Sequence, residues 1–165
     1  SMNEKQDETP HPLPYIERVK IQAEILMPLY RRLKTEIGPS RARELLKEAV
    51  DEFATGLGRS IARIEGAHSL DKLRKAVPMF TARDAIEIEP LEQSDTVMAF
   101  NVRRCRYAEL FDELGDREFG RLMVCGIDPP MTAAIDSDLK LERTQTMMEG
   151  ADHCDFRWTR DADKA

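Results

Sequence analysis

The sequence has few of the residues that would place it outside an ordinary reduced compartment. Cysteine occurs three times, an odd count with no Cys-x-x-Cys pair, which argues against a disulfide scaffold and makes the cytoplasm the expected setting. No apolar run approaches the ~20 residues of a membrane span, and no charged-then-apolar signal opens the chain, so no membrane partner is expected. An excess of positive charge is also missing. With 25 Lys and Arg against 31 Asp and Glu, the net charge is −6, and the signs are interleaved (RVKIQAE, RARELLKEAVDE) as on solvated helix faces. This excludes the basic field that draws a protein to nucleic acid. There is no internal repeat and no low-complexity tract.

The 165 residues, 41% hydrophobic and 34% charged, suit one globular domain with a real core. Ser1-Met2 reads as a tag-cleavage scar. Residues 1–14, polar and proline-rich, are expected to form a disordered arm ahead of a single domain over 15–165. From Tyr15 a helical stripe runs through Val19, Ala23, Leu26, Tyr30, Leu33 and Ile37, with Pro28 expected to kink it and Gly38-Pro39 to end it. Leu45, Ala49, Phe53, Leu57, Ile61 and Ile64 form a second stripe, whose Gly56 and Gly58 suggest a close helix crossing. Ser69 is a plausible N-cap for a third helix through Phe80.

The period then changes. Ala85–Glu89 alternates as a strand limited by Pro90. Val97–Cys105 is a stronger strand, with Met98, Phe100 and Val102 on one face and Ala99, Asn101, Arg103 and Cys105 on the other. Short helices follow over RYAELFDELG, DREFGRLMVC and from Pro129. Leu139–Met148 and His153–Arg160 read as a final strand pair joined across Glu149–Asp152. Helices first, then a mostly antiparallel sheet with inserted helices, is an α+β order.

Residues able to carry chemistry gather in the second half. Cys105, Cys125 and Cys154 each lie at the end of an element; alone, each reads as a small buried hydrophobe, but together they are candidate nucleophiles. His153 and Asp155 share a strand face, where a carboxylate can orient an imidazole as general base; a satisfied surface pair is the bland alternative. Arg104, Arg143 and Arg157 could hold a carboxylate bidentately, while Asn101 and Gln145 are strand polar groups that need partners if buried. Cys125, Asp128, His153 and Cys154 are suitable zinc donor types, but sequential His153 and Cys154 should face opposite ways.

The segments NVRRCRYAELFDELG, LMVCGID and LERTQTMMEGADHCDFRW, with ARELLKEAVDEFATGLG before them, resemble the L-2-amino-thiazoline-4-carboxylate hydrolase family. That resemblance covers essentially the chain after the arm. It implies hydrolysis of a five-membered cyclic amidine to N-carbamoyl-L-cysteine. More distantly, the cysteine, helix and terminal strand pair are similar to 4-vinyl-reductase-like sensor domains, some of which bind zinc through Cys, Glu, Cys and Cys. Cys125 and Cys154 would match the outer ligands, but Arg143 and Thr146 fall near the inner two.

The expectation is therefore a hydrolase of a small cyclic amidine or related C–N substrate, with a non-catalytic small-molecule-binding domain as the alternative. Cys105, Cys125, His153, Cys154 and Asp155 are the catalytic candidates, and Asn101, Arg104, Arg143, Gln145 and Arg157 the substrate-binding ones. No cofactor is expected, zinc being the minor alternative. The expected partner is a small-molecule substrate, and a homo-oligomer is left open. If alternation holds in the last strand, Cys154 and His153 cannot both face one pocket.

Overall fold

A computed structural model describes residues 13–162; most of the expected arm lies outside them. Three helices come first: α1 (Tyr15–Ile37), α2 (Pro39–Ala62) and α3 (Ser69–Thr81). Gly38, at φ 84°, makes the break between α1 and α2, a left-handed setting that a side chain resists. Pro39 then opens α2, where a missing N–H costs nothing. α1 runs through Pro28 as one helix. His68 rather than Ser69 caps α3, its Nδ1 accepting from the Asp71 amide at 3.1 Å.

The strands β1 (Ile86–Gln93) and β2 (Val97–Cys105) follow, then α4 (Arg106–Glu113), α5 (Arg117–Met123), α6 (Asp128–Ile135), β3 (Lys140–Glu142) and β4 (Cys154–Thr159). The sheet is antiparallel in the order β1-β2-β4-β3. The α+β architecture expected from the sequence is the one observed. One continuous core runs from Tyr15 through Phe111 and Phe119 to Trp158.

Several local readings are corrected. α2 buries Ala42, Val50, Ala54, Gly58 and Ile61, whereas Ala49 and Phe53 are exposed. Its small-residue face wins because α6 crosses so closely that a Cβ on Gly58 would lie 2.3 Å from the Met131 carbonyl oxygen. On α1, Met27 is buried in place of Ile37. β1 continues through Pro90 to Gln93; on an edge strand the absent N–H can face solvent. The last strand pair is shorter than read. β3 covers only three residues, and a 3-10 turn at Met147–Glu149 replaces the continued strand, with Gly150 at φ 98° closing it.

The most consequential correction concerns β2. Ile86 pairs with Cys105 and Glu87 with Arg104, but Ile88 pairs with Val102, so one extra residue lies in β2 at this point. Such a bulge reverses the facing of everything beyond it. Cys105 therefore returns to the inner face with Val102 rather than staying on the outer face with Asn101 and Arg103.

Candidate active site

Between the inner face of the sheet and helices α1, α3 and α6 lies a cavity of about 90 Å³, the liquid volume of about three waters. One wall is aromatic: Phe156 stacks on Trp158 at 5.0 Å and on Phe100 at 5.2 Å between ring centroids. Trp158 is pinned from behind, its Nε1 donating to the buried Thr132 hydroxyl at 3.0 Å. Tyr15 and Tyr107 contribute further rings, and the Tyr107 hydroxyl donates to the Phe80 carbonyl at 3.0 Å.

Polar groups in the lining are few, and they come from separate parts of the chain. All three thiols line the cavity, together with Asp128, Arg143, Thr81 and Thr146. Cys105 arrives through the β2 bulge and stands as the N-terminal cap residue of α4. Cys125 comes from the 3-10 turn that ends in Asp128, the first residue of α6. Cys154 opens β4, and alternation puts Phe156 and Trp158 on the same face. Of Cys154 and His153, it is Cys154 that faces the cavity.

Arg143 organises the site. Its Nη1 donates to Asp128 Oδ2, its Nη2 donates to the Cys125 carbonyl at 3.2 Å, and its guanidinium lies 5.2 Å from the Phe156 ring centroid. Both charged side chains are mostly buried, at 14% and 17% exposure for Arg143 and Asp128. Burial lifts the Asp128 carboxyl to about 6, and the opposing pull of Arg143 only partly offsets it.

The thiols are also shifted. Burial pushes Cys105 up to about 11, with the amides of Ala108 and Tyr107 pulling the other way. Cys125 is raised further by burial and by the Asp128 carboxylate. Cys154 is raised by burial too, but its Sγ accepts the Met147 amide at 3.2 Å and Arg143 favours its thiolate. Cys154 thus has both a backbone donor and a cation on its side.

The remaining sequence candidates do not line this cavity. His153 Nδ1 contacts Asp152 at 2.5 Å and the Gln145 amide at 3.3 Å. Asp155 faces away from it and holds the chain segment that carries Arg143, accepting from the Thr144 amide at 2.9 Å, the Gln145 amide at 3.0 Å and the Thr144 hydroxyl. Arg157 donates to Asn101 at 2.9 Å on the outer sheet face, and Arg104 pairs with Glu109 at 2.8 Å. Among the described residues no group of three or more His, Cys, Asp or Glu side chains is placed to hold a metal ion. Arg143 and Thr146, which fall where the resemblance would place the two inner zinc ligands, line the cavity and are poor zinc donors.

The sequence reading did not pair Asp128 with Arg143. The available signal was the Cys-x-x-Asp spacing, which joins an acid to a thiol at the start of α6.

A family model described as L-2-amino-thiazoline-4-carboxylic acid hydrolase matches residues 18–158. The chain belongs to that family. The matched stretch includes every thiol, Asp128 and Arg143; of the cavity lining, Tyr15 lies outside it. No curated protein matches the chain in sequence. Among solved structures it is similar to the phenol-responsive sensory domain of the transcription activator PoxR, crystallised with phenol. That likeness has a TM-score of 0.52 at 14% identity and covers 82% of this chain and 72% of the other. At that identity the fold is what the two share.

Proposed function

We propose that this member of the amino-thiazoline-carboxylate hydrolase family opens a small cyclic amidine carboxylate, of the 2-amino-thiazoline-4-carboxylate type, to an N-carbamoyl amino acid such as N-carbamoyl-L-cysteine. The observation that carries the reading is the Asp128–Arg143 pair in an otherwise apolar, thiol-lined cavity. Such a substrate has an amidinium at one end and a carboxylate at the other. The amidinium complements Asp128 and the carboxylate complements Arg143, so a zwitterion can replace the internal pair without leaving a buried charge alone.

Cys154 is the nucleophile in this reading. Its thiol proton passes to Asp128, and Sγ bonds to the amidine carbon while the ring C–S bond breaks. The departing ring sulfur, an alkyl thiolate of ordinary pKa ~8.5, takes that proton from Asp128 and becomes the new free thiol. An isothiourea then links Cys154 to the opened substrate. Water adds at the same carbon, the Cys154 thiolate leaves with its electron pair, and the urea of the product remains. One water is consumed and no redox partner is needed. His153 and Asp155, being outside the cavity lining, take no part in the chemistry, although Asp155 steadies the segment bearing Arg143.

The test is to incubate purified protein with the thiazoline acid and titrate new free thiol. Release in proportion to enzyme supports the proposal; none at high enzyme concentration removes this substrate class. A second reading is a non-catalytic sensor-type domain. It is favoured by the fold shared with a phenol-responsive sensory domain and by the stacked Phe100–Phe156–Trp158 wall. It requires a saturable thermal shift with phenol and no turnover of the thiazoline acid.

A further inference from the structure

The solvent side of α1 carries a row of large apolar side chains. Ile21 is 55% exposed, Ile25 69% and Leu29 50%, while half-buried Leu33 continues the four-residue spacing. Scattered exposed apolar residues need no explanation, but a continuous ridge on one helix marks a contact surface. The buried side of the same helix, with Val19, Ala23, Met27 and Tyr30, lies on the opposite flank, so this ridge is additional to the core stripe.

We propose that the α1 ridge pairs with α1 of a second copy of this chain, antiparallel, about a two-fold axis near residue 27. The sequence is self-complementary in that register. Ile25 meets Leu29 of the second copy, only about 40° away around the helix, and the contact occurs twice, as an isologous interface requires. At the flank, Arg18 falls opposite Glu36, and at 100° per residue the two occupy equivalent angular positions on the helix. Glu36 has no ion-pair partner among the described residues, and Arg18 has only the Tyr15 ring, 5.5 Å from its guanidinium. Opposite charges therefore bracket an apolar centre on both sides.

The helix is ~35 Å long, so the contact lies at the small end of specific interfaces, near ~1,200 Å² in total, and a micromolar dimer is expected. This assignment is independent of the reaction proposed above.

Sedimentation velocity of the full chain, from low micromolar to several hundred micromolar, tests it. Wild type should pass from monomer to dimer. Ile25→Glu should weaken dimerisation about a hundredfold, since it buries a charge at the centre, with unchanged circular dichroism. Arg18→Glu and Glu36→Arg should each weaken it roughly tenfold through two like-charge contacts. The double swap should return to within ~3-fold of wild type. Mixing the two single variants should give a heterodimer tighter than either homodimer. A wild type that stays monomeric, an Ile25→Glu variant that still dimerises, or a double swap that fails to recover would each overturn the proposal. The first outcome would leave the ridge to another occupant.

Discussion

Asp128 and Arg143, fifteen positions apart, are joined by a hydrogen-bonded ion pair inside a cavity otherwise lined mostly by aromatic and aliphatic side chains and thiols. Neither charge has water enough to be indifferent to the other. Removing the arginine leaves a mostly buried carboxylate alone, so Arg143→Met should lower unfolding free energy by about 3 kcal/mol at neutral pH. Urea denaturation monitored through Trp158 would measure this. A loss under about 0.5 kcal/mol, the range of ordinary surface changes, would show that the pair is not the electrostatic centre of the fold.

The same acid makes stability depend on pH with an unusual sign. Asp128 holds its proton to about 6 in the folded chain, against an ordinary value of 3.8. Between those values the native state binds more protons than the unfolded state, so this group's contribution falls as pH rises through the window. Asp128→Asn removes the titration. The stability difference between variant and wild type should therefore grow in the variant's favour from pH 4 to 6, by roughly 3 kcal/mol at most. It should stay flat above. A difference independent of pH over that range would contradict the assignment. The variant should also lose turnover and, with it, any limb of the rate profile near pH 6.

For the thiols, Cys154→Ala should abolish release of new thiol, by about a thousandfold or more if the covalent route operates. Cys105→Ala and His153→Ala should keep activity within about tenfold, because neither is placed to attack or relay a proton in that scheme. All three thiols are raised by burial. Native protein at neutral pH should accordingly react with a disulfide reagent far more slowly than unfolded protein. Full activity in Cys154→Ala would transfer the nucleophile's role to Cys125 or to water.

Asp155 acts at a distance from the cavity. Burial pushes its carboxyl up, but the hydroxyl and amides of Thr144 and Gln145 outweigh that and hold it below the ordinary range. Its contribution is thus present above the ordinary carboxylate range and lost as pH falls through the depressed value, opposite in sign to Asp128. Asp155→Ala should cost about 1 kcal/mol, the net loss of hydrogen bonds whose Thr144 donors are exposed and can turn to water, and should lower kcat by loosening Arg143. Asp155→Asn should recover part of both. Equal activity in both variants and wild type would confine Asp155 to a purely structural role.

Gly58→Ala tests the crossing of α2 and α6. The new methyl would meet the Met131 carbonyl oxygen at 2.3 Å and the Ala134 Cβ at 2.7 Å, and one of those is backbone. The helices must separate, at about 2 kcal/mol, which differential scanning calorimetry would register as several degrees. Gly56→Ala, with open space around it, should instead be neutral or slightly stabilising.

The element order and the α+β class were legible because long apolar stripes at helical period and one strong alternating run, Val97–Cys105, dominate the chain. The face of the last strand was legible only as two alternatives, since Cys154-Phe156-Trp158 and His153-Asp155-Arg157 alternate equally well. Packing chose the aromatic side. The register of α2 was missed because Ala42, Ala54 and Gly58 are too small to stand out as a stripe, yet their smallness is what admits α6. The inward turn of Cys105 was missed because a bulge leaves no mark in local periodicity; it is defined by the partner strand. The Asp128–Arg143 pair was hidden for a similar reason, being made by tertiary closure between α6 and the irregular chain before β4.

Pro90 has a consequence for how copies of this chain can meet. β1 is an edge of the sheet, and there the proline withholds an amide while Glu87, Glu89 and Glu92 line the exposed strand. A foreign strand would find an interrupted ladder and charged side chains, Glu89 and Glu87 being paired with Arg103 and Arg104, which guards against edge-to-edge aggregation. Strand-to-strand pairing of two copies along β1 is thereby disfavoured.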